Sequence, residues 1–368
     1  MYFDGVKKNF GFGMMRLPMI DKDVDIEQTK AMVDYFMDAG FNYFDTAHVY
    51  IEGKSEQAIK TCLTERFDRE DYILTDKLSN SNWQKREDIR PLVDQMLEAC
   101  GVEYFDFLLM HALNKDSFKK YRDQGAFEEA LALKEEGKIR HLGMSFHDSA
   151  EVLDQILTEI PQVEVVQIQF NYLDQDDDNV QSRACYEVCR KHGKPIIVME
   201  PVKGGTLANL PAIARKEFEK LSDMSPASYA IRYVASHEGI FMILSGMSNM
   251  EQMKDNVSFM KDFKKLDSGE MQAIETVTKI LKDQDTIACT ACRYCVDGCP
   301  MGILIPDLFM AYNNKKIFGS DEQATYDKIT ETSGLASACI ECGQCEGECP
   351  QSLKIITLLK DVALEFEQ

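Results

Sequence analysis

The sequence predicts an α/β protein: a closed (β/α)8 TIM barrel over residues 1–282, followed by a small helical module over residues 283–368. Three observations carry this. Short runs rich in β-branched and aromatic residues recur eight times across the first 280 residues, each separated by a helix-length amphipathic stretch. Several of those stretches stop at a glycine, the residue that most readily takes the left-handed conformation closing a helix. Finally, eight of the twelve cysteines crowd into the last eighty residues.

Strands are expected at Phe10–Arg16, Asn42–Asp45, Tyr72–Thr75, Phe107–His111, His141–Ser145, Val165–Phe170, Ile196–Glu200 and Phe241–Ser245. Helices are expected at Ile26–Ala39 before Gly40, Ile89–Cys100 before Gly101, and Phe127–Glu136 before Gly137. Strands alternating with helices pair in parallel through crossovers, and eight of them close into a barrel more readily than they form an open sheet. An open doubly wound sheet is the alternative. Beyond Gly269–Leu281, a further helix, the joint to the second module is expected near residues 282–287.

The formal charge of −21 disfavours nucleic acid and anionic membrane surfaces as partners, since both repel an acidic chain. No apolar run approaches the twenty residues a membrane helix needs. The first eight residues lack the apolar core of a secretory signal, so a cytoplasmic location is expected. In a reducing compartment, crowded cysteines mean metal rather than disulfides.

Barrel enzymes place their chemistry at the C-terminal ends of the strands. Those ends carry Asp45, Lys77 and His111, with Tyr50 five residues beyond Asp45. The four make sense as a carbonyl-reducing site. Hydride delivery to a carbonyl leaves an alkoxide that needs a proton, and Tyr50 is the donor. A neighbouring Lys77 ammonium is expected to lower the phenol's pKa, Asp45 to hold Lys77 charged, and His111 to hydrogen-bond the carbonyl oxygen. His147 either faces the same pocket or belongs to a loop. The acidic run Asp174–Asp178 is read as a solvated loop, and Cys62, Cys100, Cys185 and Cys189 as buried thiols.

The stretches Gly11–Pro18 (GFGMMRLP), Phe44–Tyr50 (FDTAHVY), Thr75–Lys77 (TDK), Phe107–His111 (FLLMH), Gly137–Ser145 (GKIRHLGMS), Gln167–Asn171 (QIQFN) and Ser245–Asn256 (SGMSNMEQMKDN) occur in this order. In that order and content the chain resembles the aldo/keto reductases over nearly all of residues 1–260. The resemblance implies that Asp45, Tyr50, Lys77 and His111 form the catalytic tetrad and that NAD or NADP lies across the barrel mouth. It places Gly13 and Met14 at the cofactor, and Ser145, Gln167 and Asn171 near the nicotinamide amide. Met199, at the start of the stretch ending at Gly205, would run along the cofactor. Gly246, Met247, Ser248, Gln252 and Asn256 would surround the adenosine phosphate. Departures from the family pattern are Met199, where an aromatic often stacks under nicotinamide, and Phe146, where an Asn often follows the serine. Gly246 and Gln252 stand where basic residues often meet a 2′-phosphate, so the resemblance does not choose between NAD and NADP.

The strongest local pattern is Cys289-x2-Cys292-x2-Cys295-x3-Cys299-Pro300, repeated as Cys339-x2-Cys342-x2-Cys345-x3-Cys349-Pro350. Three cysteines at three-residue steps wrap one iron–sulfur cube, and the fourth, before proline, serves the other cluster in two-cluster ferredoxins. One [4Fe-4S] cluster is thus assigned to Cys289, Cys292, Cys295 and Cys349, and the second to Cys339, Cys342, Cys345 and Cys299. Zinc, which favours two C-x2-C pairs with a long gap, fits less well. The gap between the repeats holds expected helices at Pro306–Lys316 and Ala324–Gly334, which makes the module similar to an α-helical ferredoxin. The fused arrangement resembles the ferredoxin-linked branch of the aldo/keto reductases.

Three functions are compatible with this reading. The first is an oxidoreductase acting on a small carbonyl or alcohol at the tetrad, with the clusters coupled to it or stabilising it. The second passes electrons from the clusters, supplied by a redox-protein partner, to a flavin or another reducible group in the barrel. The third is a non-enzymatic, nucleotide-binding redox sensor.

Overall fold

The computed structural model describes residues 3–178, 180–284 and 286–367. Eight strands, all paired in parallel, close into a barrel: β1 (Phe10–Gly13), β2 (Tyr43–Asp45), β3 (Ile73–Leu78), β4 (Phe105–Leu113), β5 (Ile139–Phe146), β6 (Val165–Gln169), β7 (Ile196–Met199) and β8 (Ile240–Ser245). Each strand pairs with its sequence neighbour, and β1 closes the ring by pairing with both β8 and β2. The expected closed barrel is therefore observed, and the open sheet is not.

The helices follow from local rules. Ile26–Asp38 starts where the Asp25 carboxylate accepts from the Gln28 N–H, an N-cap. Arg86–Cys100 ends at Gly101, whose φ of +68° is the left-handed conformation expected there. β1 stops earlier than expected, because Met14–Arg16 turn into a 3-10 helix directly after Gly13. A two-residue hairpin, Met19–Ile20 with Asp23–Val24, follows.

At the N-terminal end of the barrel, Val6, Tyr43, Ile73, Phe107, Val165, Ile197 and Phe241 form a closed apolar plug. Phe3 caps it, with ring centroids 5.0 Å from Phe107 and 4.8 Å from Phe241. Inside the barrel space is tight. A Cβ at Gly143 of β5 would lie 2.4 Å from Leu109 Cδ2 and 2.6 Å from Val165 Cγ1, so only glycine fits between β4 and β6. With this end filled, the C-terminal ends of the strands are left to carry a site.

The chain divides into two compact units, residues 3–201 with 227–266, and residues 202–226 with 267–367. The second unit thus includes the long loop after β7, whose helix Ala212–Glu219 packs on helix Ser268–Lys282. Within this unit Gly204, at φ +61°, lies against Thr290, and a Cβ there would be 2.4 Å from the Thr290 carbonyl oxygen. Helices Ile305–Phe318, Gln323–Thr330 and Ile355–Phe366 enclose a separate core of Ile303, Leu308, Phe309, Leu359 and Val362. Tyr326 and Phe366 stack across it at 4.7 Å. The expected helix at Ala324–Gly334 ends sooner, at Thr330. Asp285, inside the expected joint, lies outside the described residues. Among the described residues no helix is long and apolar enough to cross a membrane.

Candidate functional site

The C-terminal ends of β2, β3 and β4 bring Asp45, Lys77 and His111 together, and the turn after β2 returns Tyr50 to them. Lys77 Nζ donates to Asp45 Oδ1 at 2.5 Å and to the Thr46 carbonyl at 2.6 Å. Both side chains of this ion pair are almost wholly buried (1% and 3% exposed). The ammonium lies 4.7 Å from the centroid of the Tyr50 ring, and the His111 ring meets that ring edge-on at 5.9 Å. The loop that presents Tyr50 is tightly wound, with Ile51 and Glu52 both in the left-handed region.

The electrostatics differ from expectation in one respect. Tyr50 is pushed well above the ordinary phenol range, first by burial and then by the carboxylates of Asp45, Asp76 and Glu200, with Arg16 opposing. The expected lowering by Lys77 does not occur. Asp45 neutralises the ammonium, which faces the ring and not only the hydroxyl. Burial also pushes the Asp45 carboxyl up, Lys77 opposing it, and Asp45 Oδ2 is buried without a partner. His111 is held well below the imidazole range by burial, then by Lys77 and His147. A neutral His111 at pH 7 is therefore the resting form.

A hydroxyl missed in the sequence orients that ring: Ser79 Oγ lies 2.6 Å from His111 Nδ1. His147 sits beside the site, its Nδ1 buried and unpartnered and its pKa brought down by burial to about 4. Behind the tetrad lies another group that no motif flagged. Glu56, Asp76 and Cys100 are fully buried with ligating atoms within 4.8 Å of one another. His48 Nδ1 contacts both Glu56 oxygens, at 3.0 and 3.1 Å. Asp76 is pushed well up, first by burial and then by the neighbouring Glu56 carboxylate.

The remaining sequence-predicted residues cluster around the same barrel mouth, with different degrees of freedom. Gly13 and Gly246 are close neighbours: a Cβ on Gly13 would lie 3.6 Å from Gly246 N, and one on Gly246 would lie 3.3 Å from Arg16 Cβ. Arg16 in turn faces Glu200 at 3.9 Å. Met14 is buried, and its carbonyl accepts from Ser55 Oγ. Ser145 Oγ accepts from Ala112 N, while Gln167, 2% exposed, keeps a buried Oε1 without a partner.

Asn171 is otherwise engaged. Its Oδ1 accepts from the N–H groups of Leu173 and Asp174, and its Nδ2 donates to Asp174 Oδ2 and the Glu200 carbonyl. It organises a turn and ties that turn to the chain after β7. Asp174 is correspondingly buried, so the acidic run is not wholly the solvated loop the sequence suggested. Met199, half-buried, ends β7. After β8, Met247 is buried, Ser248 N donates to Gln252 Oε1, and Asn256 Nδ2 donates to Ser245 Oγ. Asn249 caps helix Met250–Met260, whose first N–H groups adjoin this turn. Cys62, Cys100, Cys185 and Cys189 are buried free thiols, as expected.

In the second unit the eight clustered cysteines form two pockets. Cys289, Cys292, Cys295 and Cys349 line one, with about 320 Å3 of empty space. Cys339, Cys342, Cys345 and Cys299 line the other, with about 330 Å3. Each pocket thus draws three thiols from one repeat and the fourth from the other. All eight thiols are free of disulfides. Four thiols around one small apolar cavity suit an iron–sulfur cube.

Comparison with known proteins agrees with this picture. The model of the aldo/keto reductase family matches residues 9–279, and that of the 4Fe-4S dicluster domain matches residues 288–354. The chain is 27% identical over 271 residues to the 9,11-endoperoxide prostaglandin H2 reductase of Trypanosoma cruzi, covering 72% of this chain and 89% of that protein. It is 24% identical over 291 residues to the oxidoreductase YqkF of Bacillus subtilis, covering 69% and 89%. Among solved structures, the holo form of aldo-keto reductase AKR11C1 from Bacillus halodurans aligns with a TM-score of 0.59 at 25% identity, over 73% of this chain and 91% of that one. An aldo-keto reductase from Klebsiella pneumoniae in complex with NADPH aligns at 0.61 and 17% identity, over 74% and 95%. The family match spans well over half of the chain, including every strand of the barrel and all four clustered polar residues at its mouth, and the chain belongs to the aldo/keto reductase family.

Proposed function

We propose that the protein is a nicotinamide-dependent oxidoreductase that interconverts a small carbonyl and its alcohol at Asp45, Tyr50, Lys77 and His111, and that its C-terminal domain holds two [4Fe-4S] clusters. The observation that carries the first part is the buried Asp45–Lys77 pair beneath the Tyr50 ring, with His111 at its edge. A bound NAD or NADP supplies the hydride. The orphaned Gln167 Oε1 suits a carboxamide donor, Gly13 and Gly246 leave room for close approach, and the N-terminus of helix Met250–Met260 suits a phosphate. The similar Bacillus halodurans reductase is a holo form and the similarly folded Klebsiella pneumoniae reductase is in complex with NADPH, in keeping with this reading.

The tetrad's roles follow from its geometry. Tyr50, kept protonated by burial, donates its phenolic proton to the oxygen that becomes a hydroxyl. Lys77, fixed by Asp45 and the Thr46 carbonyl, balances the charge that develops there. His111, neutral and tethered through Nδ1 to Ser79, has Nε2 for the substrate oxygen. The free thiols favour a reducing, cytoplasmic setting, and a redox-protein partner is the natural one-electron source for the clusters. A sequence boundary near residue 282 is supported by the gap between the two family matches, whereas the compact structural units divide after Leu266 and the second also takes in residues 202–226.

The cluster assignment is tested by iron content and reduced-state spectra of protein purified without oxygen. Each cube contributes about four irons, so the wild type should hold about eight per chain. Cys292→Ala and Cys349→Ala should remove the same cluster and leave the same residual spectrum. Should Cys349→Ala instead match Cys342→Ala, the exchange of the fourth ligand is wrong. NADH and NADPH binding to the intact protein, followed by nicotinamide fluorescence, tests the barrel assignment; binding of neither would refute it.

A further inference from the structure

The two cysteine pockets come from one repeated motif, offset by fifty positions from Cys289 to Cys339 and from Cys299 to Cys349. Position-by-position comparison therefore provides an internal control. The residue after each Cys-Pro pair is Met301 in the first repeat and Gln351 in the second. The residue after each leading cysteine is Thr290 in the first and Ile340 in the second.

Because the fourth cysteines cross over, Thr290 and Gln351 fall in the same pocket, with Cys289, Cys292, Cys295 and Cys349. Met301 and Ile340 fall together in the other. One pocket has thus been furnished with two polar side chains and the other with two apolar ones. Burial sharpens the contrast: Gln351 is 4% exposed and Thr290 3%, whereas Met301 is 39% and Ile340 59% exposed.

Gln351 is chemically unfinished as it stands. Its Oε1 is buried with no hydrogen-bond partner, an unfavourable state unless something in the pocket offsets it. A pocket of four thiolates around an iron–sulfur cube offers acceptors only. A carboxamide facing it presents its N–H2, since oxygen and nitrogen exchange places by a half-turn of the terminal amide. The backbone of the same pocket already points this way, as Ala291 N donates to Cys289 Sγ at 3.4 Å.

We infer that Gln351 is a potential-setting residue: its buried carboxamide donates an N–H···S hydrogen bond to the cluster of Cys289, Cys292, Cys295 and Cys349, and raises the reduction potential of that cluster alone. A donor to sulfur stabilises the reduced cluster, which carries one more negative charge than the oxidised one. The other cluster, with Met301 at the matching position, has no such side-chain donor there. The inference rests on the cluster reading above. Iron content tests that reading separately, since fewer than two cubes per chain would defeat it whatever Gln351 does.

The experiment is an anaerobic dithionite titration of the whole protein, followed by EPR, for wild type and Gln351→Met, which installs the residue the other repeat uses. One midpoint potential should fall while the other stays. The expected effect is about a tenfold change in that cluster's reduced-to-oxidised ratio at fixed potential, or ~59 mV for a one-electron couple. Two unchanged potentials, or equal shifts in both, would overturn the inference. Should the variant lose a cluster, protein that keeps Gln351 decides, after labelling its glutamine side-chain amides with 15N. With Cys342→Ala added, so that only the cluster of Cys289, Cys292, Cys295 and Cys349 remains, the reduced protein is expected to show a 15N hyperfine coupling, and its absence overturns the inference. The neighbouring Gln344 does not confuse this reading, because its amide packs on Gly298 beside Cys299, a ligand of the other cluster.

Discussion

Tyr50→Phe is expected to lower kcat/KM for carbonyl reduction by about 100- to 10,000-fold, the range for loss of a positioned proton donor. Affinity for the nicotinamide cofactor should change little, since the ring and its packing on Lys77 and His111 are kept and only the hydroxyl is removed. Steady-state kinetics paired with a binding titration separates these two effects. A matching loss in both would mean that Tyr50 shapes the site without giving up a proton. The pH profile provides a second check. Burial and the carboxylates of Asp45, Asp76 and Glu200 keep the phenol protonated well above neutral pH, so reduction by the wild type should not decline between pH 6 and 8 through ionisation of Tyr50. Oxidation of the alcohol runs the proton the other way and should gain from alkaline pH.

Lys77→Met is expected to abolish measurable turnover and also to destabilise the barrel by roughly 3–5 kcal/mol, the typical result of removing one partner from a buried ion pair. In thermal unfolding that corresponds to a fall on the order of 10 °C for a domain of this size. The mechanism is specific: Asp45 already has one oxygen without a partner, and losing Lys77 strips the other of its ammonium. The deficit should depend on pH, with a sign fixed by linkage. Burial raises the Asp45 pKa in the folded protein, and Lys77 is the group that opposes this. Without Lys77 the folded state holds a proton on Asp45 that the unfolded state releases above about pH 4. Stability of the variant relative to wild type should thus fall as pH rises from 5 to 8. A deficit that is flat with pH would show that Asp45 is not the group left unpaired.

The parts of this molecule that the sequence made legible are those governed by short-range rules. Strand β5 and the helix before it could be placed because periodicity switches at Gly137, where only a residue tolerant of positive φ continues the chain. The cysteine groups were readable because the motif repeats at steps of three residues, and the two-cluster ferredoxin pattern already grouped Cys349 with the first repeat and Cys299 with the second, the same grouping that lines the two pockets. Asp45, Lys77 and His111 were found because a barrel aligns strand ends at one mouth. What stayed hidden depends on three-dimensional packing. Ser79 is an ordinary serine until β3 and β4 set it 2.6 Å from His111. Glu56, Asp76 and Cys100 come from three separate elements, and no spacing ties them together. Asn171 carries a family position, yet its side chain bonds its own turn at Leu173 and Asp174 and the Glu200 carbonyl after β7, contacts that only the folded chain brings together. The direction of the Tyr50 shift was misjudged for the same reason: a nearby ammonium was counted, but its neutralisation by Asp45 and the burial of the phenol were not.

The most direct test of the account is the fate of a label. Cluster-loaded protein, kept free of oxygen, is mixed with NADH or NADPH deuterated at the transferable position and with a simple aldehyde such as benzaldehyde or methylglyoxal. The alcohol is then analysed by mass spectrometry. Deuterium on the carbinol carbon, lost together with turnover in Tyr50→Phe, is the predicted result. Alcohol formed without deuterium while the clusters become reduced would contradict the account, since the barrel would then work by electrons passed through the iron–sulfur domain and not by hydride transfer at the tetrad.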